Sequence, residues 1–197
     1  DLETIRLMRE AVGPDFTLMA DPVIMASYED ALKAGRELER LGYKWLEEPL
    51  LDVNLNGLKK LREKLDIPIC GTEVIAGNHY SVASCIKDGV VDIVRTDVSW
   101  RAGITAVMKT AHLAEAHGVQ CELHTTIYHG LEQVQLHPSL AITNCEFFET
   151  LYPFDDFQFG TKSQLNIVDG YVMAPVGEGL CIEYDWDFID KHTVAVL

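Results

Sequence analysis

Positive charge is scarce in this chain: 16 Lys and Arg stand against 31 Asp and Glu in 197 residues, a formal net charge of −15. A polyphosphate backbone is held by a basic footprint, so nucleic acid is not the expected partner. Long apolar runs are missing as well, and no stretch approaches the ~20 residues that a membrane helix needs. Cysteine is sparse: Cys70, Cys85, Cys121, Cys145 and Cys181 are odd in number, widely spaced and without a C-x-x-C pair. They read as buried reduced thiols rather than a disulfide framework. The opening run, Asp1 to Met8, is amphipathic and unlike a secretion signal, so a cytoplasmic protein is expected. There is no low-complexity stretch and no linker, and 48% hydrophobic residues suffice for the core of a single domain.

What the chain does have is a recurring acidic or imidazole side chain at the end of short apolar runs. Asp21 follows Thr17-Leu18-Met19-Ala20, Glu47 follows Tyr43-Lys44-Trp45-Leu46, and Glu73 follows Ile67 to Thr72. Asp97 follows Ile93-Val94-Arg95-Thr96, His124 follows Val119 to Leu123, and Glu149 follows Cys145 to Phe148. The successive gaps are 26, 26, 24, 27 and 25 residues, the only internal repeat. A parallel (β/α) barrel uses about 250 residues for eight strand–helix units and gathers its chemistry at the C-terminal strand ends.

Helix signals fill most gaps. Ser27-Tyr28-Glu29-Asp30 reads as an N-cap followed by acidic first-turn residues, with Ala31, Leu32, Leu38 and Leu41 as the apolar face and Gly42 as the stop. Leu58, Leu61 and Leu65 mark a second helix ending before Pro68; a shorter one spans about 81–87 and closes at Gly89. Residues 105–117 form another, with Val107, Ala111 and Ala114 inward and Gly118 beyond it, and 1–11 form a helix ahead of the first strand. Strands alternating with helices predict an α/β fold with parallel strands. From 163 to 197 the character changes to a hairpin turning at Asp169-Gly170, a loop, and an acidic, aromatic segment. Six units are found where a barrel has eight. The expectation is therefore an incomplete TIM-type barrel portion of a longer protein, or a barrel whose open edges a partner covers in a homo-oligomer.

Asp21, Glu47 and Glu73 are hard oxygen donors at three consecutive strand ends, which suits Mg²⁺ with open positions for water and substrate oxygens. Three anions on one rim repel one another and call for a cation. Alternation turns Glu48 away from Glu47, to a helix-facing or supporting position. Asp97 on the strand beside His124 can fix the imidazole tautomer and stabilise its charged form, a proton-transfer pair. His79, His117, His129 and His137 lack such a partner and read as surface or helix residues. Glu149 either hydrogen-bonds a substrate oxygen or supports the pair, or else is a salt-bridged rim residue.

These residues, in Leu-Met-Ala-Asp21, Trp-Leu-Glu47-Glu-Pro, Cys-Gly-Thr-Glu73, Val-Arg-Thr-Asp97 and Cys-Glu-Leu-His124, resemble the mandelate racemase/muconate lactonizing branch of the enolase superfamily, and within it the acid-sugar dehydratases. The resemblance covers essentially the whole chain, as the C-terminal barrel portion lacking the N-terminal capping domain and first strands. It implies that Asp21, Glu47 and Glu73 bind Mg²⁺, that His124 and Asp97 move protons, and that Glu149 contacts the substrate carboxylate. Two positions depart from the family pattern: Val23 stands where Asn is frequent, and Ala102-Gly103 where Gly-Gly is. The implied activity is removal of the proton alpha to a carboxylate, then loss of the 3-hydroxyl of an acid sugar. A racemase, epimerase or cycloisomerase on the same scaffold, and a non-catalytic metal-binding barrel fragment, are the other readings. The 197-residue chain alone is expected to be inactive.

Overall fold

The computed structural model describes residues 2–25, 27–125 and 130–196, so His129 lies outside the described residues. The chain runs α1 (Leu2–Val12), α2 (Tyr28–Arg40), β1 (Leu46–Glu47), α3 (Leu55–Lys64), β2 (Ile69–Gly71), α4 (Asn78–Asp88), β3 (Ile93–Thr96), α5 (Gly103–Ala116), β4 (Gln120–Leu123) and α6 (Leu131–Ala141). The helix-capping residues act as the sequence predicts. Ser27 accepts the Asp30 amide hydrogen at 3.1 Å, and Gly42, Gly89 and Gly118 adopt φ of 67°, 65° and 69° where helices end. α4 begins three residues earlier than predicted, behind Gly77 at φ 94°.

β1 to β4 form one parallel sheet in sequence order. The ladder continues on both sides through single parallel bridges, Ala20 with Leu46 and Leu123 with Phe148. All six predicted strand positions are thus neighbours in order, an incomplete TIM-type barrel wall. Side chains alternate across it. Leu46, Ile69, Val94, Cys121 and Leu123 point outward into the main core, with Leu61, Val82, Val107 and Ala111 of the covering helices. Each such fully buried aliphatic contributes about 1.5–3 kcal/mol of transfer free energy. A second, small cluster of Trp45, Cys70 and Ile93 lines the inner face, backed by Met19 and Phe147.

α1 has no buried residue and is held through polar contacts. The Arg9 guanidinium donates to the carbonyls of Leu41, Gly13, Phe16 and Gly42, and the Tyr43 hydroxyl donates to the Ile5 carbonyl at 2.9 Å. α6 was not predicted as an element: Pro138 interrupts its helical pattern, and Gln133, Gln135 and Glu132 are buried where apolar residues would mark a face. The Gln135 side chain earns its burial by accepting the Val98 amide hydrogen at 3.0 Å.

Beyond Glu149 come α7 (Phe154–Phe157), the antiparallel pair β5 (Ile167–Val168) and β6 (Tyr171–Val172), and α8 (Trp186–His192). Asp169 and Gly170 both have positive φ, 51° and 80°, as a two-residue hairpin turn of this twist requires. The five cysteines are free; Cys70, Cys85 and Cys121 are buried. Among the described residues no helix is long and apolar enough to cross a membrane.

Candidate active site

Register explains why the site residues share a face. Glu47, Cys70 and Ile93 are aligned across β1, β2 and β3, and Arg95 is aligned with Glu122 across β3 and β4. Two residues further along their strands, on the same side, stand Asp97 and His124. Glu73 reaches this side through a break in alternation, since Thr72 has φ 81°. The Thr72 hydroxyl fixes that break, donating to the Arg95 carbonyl at 3.1 Å. Glu48, at φ 39°, turns the other way as expected. It accepts the Glu73 amide hydrogen at 2.8 Å, packed where Gly71 has no side chain, so it supports Glu73 from behind.

Arg95 stands at the centre of the carboxylates. Its Nη2 donates to Glu149 Oε2 at 2.5 Å, and its Nε lies 2.6 Å from Glu47 Oε1 and 3.9 Å from Glu73 Oε2. The Nε–Glu47 contact is off the N–H direction; it is an ion pair rather than a formed hydrogen bond, and both atoms are otherwise without hydrogen-bond partners. The Trp45 indole donates to Glu47 Oε2 at 2.9 Å, and the Thr125 amide donates to Glu149 Oε2 at 3.1 Å. Sequence reasoning had not singled out Arg95. The available signal was its place two residues before Asp97, on the same face of the strand.

Burial pushes the Glu47 carboxyl up to about 7; Arg95 and the Trp45 indole oppose that rise, while Asp21 and Glu149 add to it. Burial likewise raises Glu73, against His124 and Arg95 and with Asp21 and Glu149. Asp21 stands at the exposed edge and adds to the rise of both glutamates. Among the described residues no three His, Cys, Asp or Glu side chains are set for a metal ion; Glu47 and Glu149 face Arg95 instead. The donor set nevertheless fits Mg²⁺: all oxygen, anionic, and including the buried Glu47 Oε1, which accepts no hydrogen bond.

His124 and Asp97 face each other as predicted, Nδ1 to Oδ2, but at 3.4 Å and without a formed hydrogen bond, longer than the expected contact. Asp97 is fully buried, and its Oδ1 accepts from the Ser99 amide, the Ser99 hydroxyl and the Trp100 amide. Burial works to raise the Asp97 carboxyl, yet His124 and these donors hold it below its ordinary range. Burial works to lower His124, but Asp97, then Glu73 and Glu149, hold it above its ordinary value. Its Nε2 lies 3.6 Å from Glu73 Oε1, and the ring lies beside that of Trp100, centroids 5.1 Å apart and planes tilted by 33°. A cavity of about 830 Å³ lies beyond Asp21, lined largely by apolar residues of α1, α2 and the 19–25 segment, away from the imidazole. The remaining described histidines sit on helices or their ends: His79 in α4, His112 in α5, His117 after α5, His137 in α6 and His192 in α8.

The profile of the Enolase C-terminal domain-like family matches residues 1–188. The arabinonate dehydratase of Saccharolobus solfataricus is 31% identical over 182 residues, 91% of this chain and 48% of that enzyme. The D-galactarolactone cycloisomerase of Agrobacterium fabrum is 32% identical over 204 residues, 97% of this chain and 53% of that enzyme. Among solved structures, the D-glucarate dehydratase from Agrobacterium tumefaciens complexed with magnesium superposes with a TM-score of 0.88 at 42% identity, covering 97% of this chain and 50% of that one. The chain thus spans about half the length of these curated relatives. On this match the chain belongs to the enolase superfamily, in its mandelate racemase/muconate lactonizing branch.

Proposed function

We propose that the protein carrying this chain is a Mg²⁺-dependent acid-sugar dehydratase, with this chain as the C-terminal portion of its barrel. The observation that carries the reading is the convergence of the His124–Asp97 pair and the carboxylates of Glu47, Glu73 and Glu149 on one face of the sheet. Similarity to an arabinonate dehydratase and a D-glucarate dehydratase supports it. Asp21, Glu47 and Glu73 would hold the ion. When bound, Mg²⁺ supplies positive charge against the substrate carboxylate, which acidifies the neighbouring C–H.

The residues of this chain then have separable tasks. Asp97, acceptor-saturated on Oδ1, directs Oδ2 at Nδ1 of His124 and stabilises the charged ring. The mobile proton of His124 is therefore the one at Nε2, on the carboxylate side. Once a base of the intact protein has taken the alpha proton, His124, paired with Asp97, supplies at Nε2 the proton that a departing 3-hydroxyl needs to leave as water. Trp100 flanks the imidazole, its ring centroid 5.1 Å away. Glu149, held by Arg95 and the Thr125 amide, has a second oxygen to offer a substrate hydroxyl or carboxyl.

Replacing His124 by Asn in the intact protein tests this. Turnover of acid sugars such as D-glucarate to 2-keto-3-deoxy acids is expected to fall by ~10²–10⁴. Near-normal turnover would reduce His124 to a structural role. The similarity to a cycloisomerase favours a second reading, isomerisation on the same site. Product analysis separates the two, because only the dehydratase releases a product lighter by one water.

A further inference from the structure

Arg95, on β3, is a cation buried among the carboxylates of the inner face, at 3% exposure. Its guanidinium touches groups from opposite sides of the sheet. Nε meets Glu47 at the end of β1, and Nη2 meets Glu149 beyond the bridge that follows β4. Its backbone is fixed too: the Thr72 hydroxyl accepts the Arg95 amide hydrogen at 3.3 Å and donates to the Arg95 carbonyl at 3.1 Å. Both partners are tied by a second donor, Glu47 by the Trp45 indole at 2.9 Å and Glu149 by the Thr125 amide at 3.1 Å. The result is a chain Trp45–Glu47–Arg95–Glu149–Thr125 that runs across the wall of the barrel. Thr125 is the residue after His124, so the chain ends beside the imidazole.

We propose that Arg95 is a positioning residue that sets Glu47 for the metal ion and, through Glu149, ties that geometry to the His124 end of the site. The inference rests on the Mg²⁺ reading above and adds to it a residue that binds neither metal nor substrate. The planar guanidinium reaches both carboxylates at once, donating through Nη2 to Glu149 and pairing in charge with Glu47 through Nε; a lysine ammonium carries the same charge but not that span. Groups that orient a metal ligand from outside commonly change metal affinity by about 10–100-fold when removed. Replacement of Arg95 by Lys therefore separates geometry from charge.

The experiment uses the intact protein and two readouts, applied to wild type, Arg95→Lys and Glu149→Gln. In metal-free protein, the part of the tryptophan emission that disappears in Trp45→Phe reports the indole bonded to Glu47. It is expected to shift in Arg95→Lys, where Glu47 is released, and an unshifted signal would overturn the clamp. Calorimetric titration with Mg²⁺ is expected to show binding about tenfold or more weaker in Arg95→Lys. Equal affinity in wild type and Arg95→Lys would also overturn it. Glu149→Gln keeps the buried guanidinium and cuts only one arm, so it decides the matter if Arg95→Lys does not fold. It is expected to weaken Mg²⁺ measurably although Glu149 is not assigned as a ligand, and unchanged affinity contradicts the proposal. A wild-type protein that binds no Mg²⁺ would instead sink the metal reading itself, leaving the metal-free emission to decide the clamp.

Discussion

Ile69 and Cys70 are neighbours in β2, yet their side chains enter different worlds. Ile69 points out with Leu46, Val94 and Leu123 into an apolar core closed by helices. Cys70 points in with Glu47, Arg95, Asp97 and His124, where one guanidinium, several carboxylates and an imidazole share little water. The outer face is stable because it removes hydrocarbon from water, which depends on volume and shape. The inner face is tolerable only because each charge has a partner; removing one partner leaves another buried and uncompensated. Not every inner charge is for chemistry. Glu122 is 1% exposed and accepts the amide hydrogens of Glu146 and Phe147 at 3.0 and 3.1 Å, which docks the last strand segment.

The contrast can be broken most strongly from the outer side. Ile69→Ala is expected to cost about 2–5 kcal/mol of stability, read by denaturant unfolding, while the folded fraction keeps its Mg²⁺ affinity. His124→Asn is its counterpart, with a large loss of turnover; Ser99 and Trp100 still donate to the buried Asp97, so unfolding changes less than in Ile69→Ala. If Ile69→Ala altered Mg²⁺ affinity as much as stability, the two faces would not be separable.

Glu132 sharpens the comparison because it is an acid buried outside the cluster, at 4% exposure. Burial alone pushes its carboxyl up from 4.5 to about 7. A raised carboxyl favours the protonated folded state, so its stabilisation is complete below the unfolded value and is lost as pH rises through about 7. The stability of wild type relative to Glu132→Gln is expected to fall between pH 4.5 and 7.5, by on the order of 3 kcal/mol. A pH-independent difference would mean that Glu132 is solvated or paired.

The smallest effect concerns backbone strain beside Asp21. Val23 has φ 46°, a left-handed conformation that a β-branched residue tolerates poorly, and its amide donates to Asp21 Oδ1 at 2.9 Å. Asn adopts this conformation more readily, so Val23→Asn is expected to add about 1 kcal/mol without loss of Mg²⁺ affinity. A destabilised variant would show that the valine side chain makes packing of greater worth.

Much of this was legible in the sequence because period and chemistry coincided. The near-even spacing from Asp21 to Glu149 located six strand ends, and Ser27, Gly42, Gly89 and Gly118 located helix boundaries. Three things were hidden. α6 buries glutamines and a glutamate, so no apolar stripe announced it. The inward turn of Glu73 depends on Thr72 leaving the extended region, which residue alternation cannot foresee. Arg95 lay within a motif already read, but its partners Glu47 and Glu149 are 48 and 54 residues away in sequence.

The central claim is that the inner face is a divalent-cation site beside a proton-transfer pair. Crystals of the intact protein soaked with Mn²⁺ in place of Mg²⁺ test it most directly, through the anomalous signal of the ion. The account predicts one strong peak bounded by Asp21, Glu47 and Glu73, with His124 and Asp97 on the same side and Arg95 still joined to Glu149. Density for the ion elsewhere, with Asp21, Glu47 and Glu73 still directed away from a common point, would contradict it.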